Sequence, residues 1–224
     1  MTKYFTTIIS FLIITSCSNS PELDNSGEIK VFEVIIESLQ QTKTPKDFID
    51  AKYLISRKKI DDSNTPVLYV KLESGQNGTL TPYPGQGIGQ TWLGADGATV
   101  TMNDGVLMAT RGLGEDLMGS ITSKPPWNKI NQRNASYQRE TSFLSGDNKK
   151  STKKFNCRIK KSDETELIKI WDITFKVRKY KETCQSKNDI ITNLYFLDDR
   201  QIVRRSNQYH SSSLGYIYTE RLDR

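Results

Sequence analysis

Few side chains in this chain are placed to do chemistry. Its 224 residues include three cysteines and one histidine, His210. Cys157 and Cys184 have no further Cys or His at ligand spacing, so no metal centre is expected from them. His210 precedes three serines, Ser211 to Ser213, and every His-based triad would have to use it. A Ser-rich turn is the expected reading there. There is no Gly-x-Ser-x-Gly elbow, no His-Glu-x-x-His and no calcium-loop spacing. Glu115 and Asp116 are sequence neighbours, and such carboxylates do not oppose each other across a cleft as glycosidic hydrolysis requires. Gly85-Gln86-Gly87-Ile88-Gly89 lacks the spacing of a dinucleotide loop and precedes no helix pattern. No catalytic constellation assembles, so a non-enzymatic protein without metal or cofactor is expected.

The third cysteine, Cys17, ends a distinct leader. Met1-Thr2-Lys3 is a short positive region, and Tyr4 to Thr15 is mostly apolar. That run is shorter than the roughly 20 residues of a membrane-spanning helix but suits a secretory signal. Ile14-Thr15-Ser16-Cys17 resembles a bacterial lipobox, which implies a signal peptide over 1–16, cleavage before Cys17 and lipidation (palmitate included) of that residue. Several acyl chains would anchor it stably, at roughly 0.8 kcal/mol per buried CH₂. Ser18 after the cysteine, where Asp does not stand, implies delivery to the outer membrane. Export also bears on the other cysteines. An oxidising compartment makes Cys157–Cys184 one disulfide, worth roughly 3–4 kcal/mol by chain entropy; two buried free thiols are the alternative.

Residues 17–27 are polar and rich in turn formers, a tether. Residues 28–224 read as one β-rich domain, a suitable length for a sizeable core. At its start, Ile29, Phe32, Ile35, Ile36 and Leu39 recur at helical spacing. The mixed polar face over Glu28–Gln41 fits a helix covering a sheet better than an interfacial membrane helix. A short helix is expected around Lys46–Ala51 and a loop at Asp61–Asn64.

The central stretch, Gln90 to Ser120, organises the rest. Asp96-Gly97 lies between the strand patterns Thr91–Ala95 and Ala98–Met102, and Asn103-Asp104-Gly105 separates the latter from Val106–Thr110. Such pairs are strong hairpin signals, because Gly adopts φ > 0 without steric cost. The second turn is either a two-residue type I′ turn or a three-residue turn with a G1 bulge at Gly105; the latter is expected. Further strands are read at Pro66–Glu73, Thr79–Tyr83, Ser136–Leu144, Thr152–Lys160, Ile190–Leu197, Gln201–Tyr209 and Gly215–Leu222, with a surface loop over 121–134. Leu167–Lys179 alternates most clearly and reads as one strand, with Leu167, Trp171, Phe175 and Val177 on its apolar face. The sum is a mainly β fold: an antiparallel β-sandwich or half-open barrel of about ten short strands with an N-terminal helix.

The net charge of +6 is uneven. From Lys149 onward there are 18 Lys and Arg against 10 Asp and Glu, so the preceding part is slightly acidic. These strands either present a surface to an acidic partner, such as an anionic polysaccharide or lipid head groups, or turn their lysines to solvent to blunt sheet edges. Nucleic acid is not an expected partner of an exported chain.

Several of these residues also carry a family resemblance. Thr91-Trp92, Ala95-Asp96-Gly97, Asn103-Asp104-Gly105, Thr110-Arg111-Gly112-Leu113 and Asp116-Leu117 resemble the YjbF/GfcB family, the group 4 capsule polysaccharide lipoproteins. Cys157 and Cys184, Asn193 and Tyr195, Ser206 and Gln208, and Leu214-Gly215-Tyr216 follow in the same order. The chain departs at Ser206-Asn207-Gln208-Tyr209, where the family tends to have Ser-Arg-Gln-Trp. The resemblance implies a lipoprotein on the periplasmic face of the outer membrane, working with exopolysaccharide or capsule machinery, and no catalytic residues. The expected function is a non-catalytic binding or assembly factor, its partners being the membrane, polysaccharide and outer-membrane secretion proteins. Trp92, Arg111, Asp116 and Gln208 are the binding candidates. The alternatives are a lipid or lipoprotein carrier with a half-barrel cavity and a polysaccharide-modifying enzyme.

Overall fold

A computed structural model describes residues 49–224, apart from 86, 123–126, 128–133 and 145–148. Cys17, the tether and the helix expected over Glu28–Gln41 lie outside the described residues. A 3₁₀ turn, Ala51–Tyr53, leads into helix α1, Arg57–Ser63. Ser56 caps it by accepting the Lys59 N–H, and Ile60 on its inner face is buried. The loop expected from Asp61 is thus helical through Ser63, and Asn64 ends the helix in a left-handed conformation (φ 51°).

Twelve strands follow among the described residues. They are β1 (Leu68–Leu72), β2 (Asn77–Tyr83), β3 (Gln90–Gly94), β4 (Thr99–Asn103), β5 (Val106–Arg111), β6 (Asp116–Ile121), β7 (Asn134–Leu144), β8 (Lys150–Ile170), β9 (Ile173–Gln185), β10 (Ile190–Asp198), β11 (Val203–Ser211) and β12 (Gly215–Arg221). All belong to one antiparallel sheet in the order β5-β4-β3-β2-β1-β12-β11-β10-β9-β8-β7-β6. The first and last strands pair at its centre, Val70 opposite Thr219. The two edges, β5 and β6, are neighbours in sequence, joined only by Gly112–Glu115, and the sheet curls until it is nearly a closed barrel. The half-open barrel is therefore the right description, with twelve strands rather than about ten. The sandwich reading is only roughly right, since the ladders join all the strands into one sheet rather than two.

The strand read over Leu167–Lys179 is in fact a hairpin. Chain reversal occurs at Trp171-Asp172, pairing Ile170 with Ile173 and Ile168 with Phe175. In a two-residue hairpin, paired residues share a face but have opposite numerical parity. Ile168 and Ile170 are therefore buried alongside Val177, while Leu167 is 73% exposed. Trp171 takes φ 53°, rare for a bulky residue, so no turn signal marked it. The Arg57 guanidinium holds it from outside, 4.7 Å above the indole ring, while its Nε donates to the Asp172 carboxylate at 2.9 Å. The β4–β5 turn also differs from expectation. Asn103 pairs with Val106, and both Asp104 (φ 47°) and Gly105 (φ 82°) are left-handed, which makes a two-residue turn. The extra residue sits inside β5 instead, where the register shifts past Met108.

Alternation along the strands fills the interior. Leu68, Val70, Leu72, Trp92, Val100, Met102, Leu107 and Ile217 form one apolar cluster. On the opposite face of β1, Tyr69 joins Ile55, Ile60, Ile168, Ile170 and Val177 under α1 and the tip of the β8–β9 hairpin. Trp127, read as part of a surface loop, is buried against Tyr195, ring centroids 5.1 Å apart. Along β8 and β9 the outward positions Lys154, Arg158, Lys160 and Lys181 are exposed, as solvent-facing lysines on a sheet would be.

Candidate functional site

Cys157 and Cys184 are direct partners across the β8–β9 ladder and form a disulfide. Beside them lies the most elaborate polar cluster of the molecule. Glu182 is fully buried and its carboxylate accepts four hydrogen bonds: from Arg139 Nη2 (2.7 Å), Asn193 Nδ2 (2.7 Å), the Tyr195 hydroxyl (2.8 Å) and the Tyr137 hydroxyl. Burial, then the neighbouring Glu182 charge, pushes the Tyr137 and Tyr195 phenols well above their ordinary range. Asn193 also accepts the Tyr209 N–H at 2.7 Å, tying β10 to β11. Cys157, Glu182 and Cys184 place ligand-type atoms close together, but the sulfurs are bonded to each other and the carboxylate is engaged by its donors.

Gln208 crosses the interior. Its Oε1 accepts the Leu107 N–H at 2.8 Å, and its Nε2 donates to Gly105 O at 2.8 Å and to Ser206 Oγ at 2.9 Å. It therefore fastens the β4–β5 turn to β11, about a hundred residues away. Neighbouring His210 is not in a Ser-rich turn. It lies within β11, almost fully buried, with Nε2 2.9 Å from the Thr110 hydroxyl. Burial lowers its pKa from the ordinary 6.5, with Glu115 and Asp116 pulling weakly the other way.

Arg111 and Asp116 flank the short connector between the two sheet edges, but they serve the backbone rather than each other. The Asp116 carboxylate accepts the N–H groups of Gly112 and Leu113. Arg111 Nη1 donates to the carbonyls of Thr110 and Leu117, the latter at 3.0 Å. Glu115, next in line, accepts from the Ser213 hydroxyl, which holds its carboxyl below the usual range.

Trp92 belongs to a different place. It forms part of the wall of a cavity of about 390 Å³ at one end of the barrel, where β1 and β3 begin and β4 and β12 end. Only 4% of its surface is exposed: it packs in the apolar cluster, and the Arg221 guanidinium lies 4.9 Å from its ring centroid. Arg221 is itself forked onto Asp223, at 2.8 and 2.7 Å. Leu68, Met102 and Thr219 complete the inner wall, and Gln90, Asn103, Asp104 and Gln201 stand at the mouth. The four candidates read from sequence are thus not gathered into one site. Trp92 lines the cavity, Gln208 braces the turn that borders it, and Arg111 and Asp116 sit at the seam. Sequence reasoning missed Arg221, Asn103 and Gln201, which share nothing in sequence and meet only through the ladder order.

A single curled antiparallel sheet with an open cavity at one end defines a half-open barrel. The chain belongs to the family described as group 4 capsule polysaccharide lipoprotein GfcB, YjbF, whose model matches residues 33–222. Its fold is similar to the crystal structure of the hypothetical lipoprotein YmcC from Escherichia coli (K12), with a TM-score of 0.70, 16% identity, and 90% of this chain and 98% of that one covered. At that identity the likeness concerns the fold alone. No curated protein matches the chain. Among the described residues, no helix is long and apolar enough to cross a membrane.

Proposed function

We propose that this protein is a lipid-anchored, non-catalytic binding factor. On this reading it stands on the periplasmic face of the outer membrane and supports production or export of an exopolysaccharide or capsule. Acylated Cys17 supplies the anchor, 17–27 the reach, and the half-barrel holds glycan close to the secretion machinery. The observation that carries the reading is the open 390 Å³ cavity with Trp92 and Arg221 in its wall, in a member of a capsule polysaccharide lipoprotein family.

The cavity is lined by one carboxylate, Asp104, whereas glycosidic hydrolysis uses two. His210 and Glu182, the other candidates for acid–base work, are buried and committed to neighbours. A lipid carrier would need a continuous apolar cavity, and the Glu182 cluster fills the interior where it would run. The test is gene deletion under inducing conditions, reading surface polysaccharide, with complementation by the intact chain and by Cys17→Ser. Reduced yield in the deletion, restored by the intact chain and not by C17S, is expected. Unchanged yield in the deletion would end this reading.

A further inference from the structure

We propose that the end cavity binds an uncharged sugar residue, with Asn103, Asp104 and Gln201 as its hydrogen-bonding rim. The proposal rests on the reading of the protein as a polysaccharide-binding factor and names the chemistry of its ligand. About 390 Å³ lies within the range of small-molecule sites. The walls are apolar where Leu68, Pro82 and Met102 line them, and the mouth is polar. A sugar ring has the same division, with C–H bonds on its faces and hydroxyls on its edge.

Three further observations select the rim residues and the charge of the ligand. Among the described residues, the side chains of Asn103, Asp104 and Gln201 make no hydrogen bond or ion pair with one another or with any neighbour, although all three border the same cavity. Two amides and a carboxylate offer planar donors and acceptors that suit hydroxyls, each of which both donates and accepts.

Backbone conformation points the same way. Asp104 (φ 47°) and Gln201 (φ 64°) are both left-handed, in two different turns that meet at the cavity mouth. Asp tolerates that region; Gln adopts it at a steric cost that Gly would not carry. The Gln201 amide stands at the cavity mouth with nothing in the described fold bonded to it, free to meet a ligand there.

Charge then separates neutral from acidic sugars. Arg221 is neutralised by Asp223 before any ligand arrives, and Asp104 forms no ion pair among the described residues. The cavity therefore presents surplus negative charge. A uronate or phosphate meets repulsion at Asp104, whereas neighbouring hydroxyls donate to its two oxygens. Of the lysines and arginines from Lys149 onward, Arg221 alone lines this cavity.

The experiment uses the full-length lipidated chain in a sugar-free detergent. Saturation-transfer NMR and titration are run with the methyl glycosides of glucose, galactose, mannose and N-acetylglucosamine, and with the matching glucuronide and galacturonide. At least one neutral glycoside is expected to bind, with transfer strongest to its ring C–H protons, and its uronate to bind at least about tenfold more weakly. Asp104→Asn keeps a residue suited to the turn while removing the charge, so it should narrow that gap. Gln201→Gly relieves the backbone and should weaken binding without loss of thermal stability. Preference for the uronates, absence of binding by every probe, or neutral-glycoside affinity unchanged in both variants would each overturn the proposal. The wider reading is tested separately. If deletion lowers surface polysaccharide and the D104N/Q201G double variant restores it fully, the cavity proposal falls and the polysaccharide role stands.

Discussion

The hydroxyl oxygen of Thr110 accepts the backbone N–H of Leu117 at 3.0 Å, across the gap between the two edge strands of the sheet. Arg111 supplies the matching contact by donating to the Leu117 carbonyl. Two side chains thus do at the seam what a ladder does everywhere else in the sheet. Thr110→Val keeps the shape and removes the hydroxyl, leaving the buried Leu117 N–H without a partner. A loss of about 1–3 kcal/mol is expected in urea unfolding. The amide of Leu117 should also exchange with deuterium faster than amides in β8 and β9. Equal protection of Leu117 in wild type and variant would show that the hydroxyl does not hold the seam.

The same hydroxyl lies 2.9 Å from His210 Nε2. Burial disfavours the charged imidazole and lowers its pKa from 6.5. The unfolded chain takes up a proton at the ordinary value. Between the two values the unfolded state holds more protons, so stability is fully present above the unfolded pKa and falls as pH drops through it. The slope can reach about 1.4 kcal/mol per pH unit. Denaturant unfolding between pH 5.5 and 7.5 reads it directly. His210→Gln should flatten that slope, whatever its effect on absolute stability, and an unchanged slope would assign the proton uptake to another group.

Glu182 and Arg139 are both buried, so each is the other's compensation. Glu182→Gln leaves Arg139 charged and unpaired in the interior, and a loss of about 3–5 kcal/mol is expected. Removing both charges with Glu182→Leu and Arg139→Met should recover much of that, because the desolvation of two ions disappears together. Urea unfolding of the two single variants and the double variant gives the coupling directly. Additive losses would mean that the pair is not coupled.

The sequence disclosed those parts of the fold that local chemistry determines. Asp96-Gly97 and Asp104-Gly105 mark real turns because left-handed glycine is a local requirement, and Gly97 (φ 84°) and Gly105 (φ 82°) meet it. Cys157 and Cys184 were legible as a pair by count and compartment. The Trp171-Asp172 reversal was not. Asp172 is a turn former, but Leu167, Trp171, Ile173, Phe175 and Val177 keep one parity straight through it, so a single strand fits the same pattern. What fixes it is Arg57, more than a hundred residues earlier. His210 misled for the opposite reason: Ser212 and Ser213 do form an exposed turn, but His210 and Ser211 just before it are buried at the end of β11. The cavity was the least legible feature, since Asn103, Gln201 and Arg221 meet only once β12 lies beside β1 and the β10–β11 turn folds over the same end.

Gln208 links the interior to that cavity, and its replacement separates bracing from ligand contact. The Gly105 carbonyl and the Leu107 N–H that it binds belong to the turn and strand carrying Asn103 and Asp104. Gln208→Leu is close in volume but leaves the buried Leu107 N–H and the half-buried Gly105 carbonyl without this partner, so a loss of about 1–3 kcal/mol is expected. Gln208→Glu retains an acceptor for Leu107 but sets a carboxylate oxygen against the Gly105 carbonyl, so the turn should loosen even where the core stays packed. Hydrogen exchange at Leu107 should rise in both variants, and sugar affinity should fall with it although Gln208 does not line the cavity. If affinity instead falls with Leu107 still protected, Gln208 touches the ligand itself. If neither quantity moves, the turn is held by its own backbone geometry, and the long reach of Gln208 from β11 contributes only to the packing of the interior.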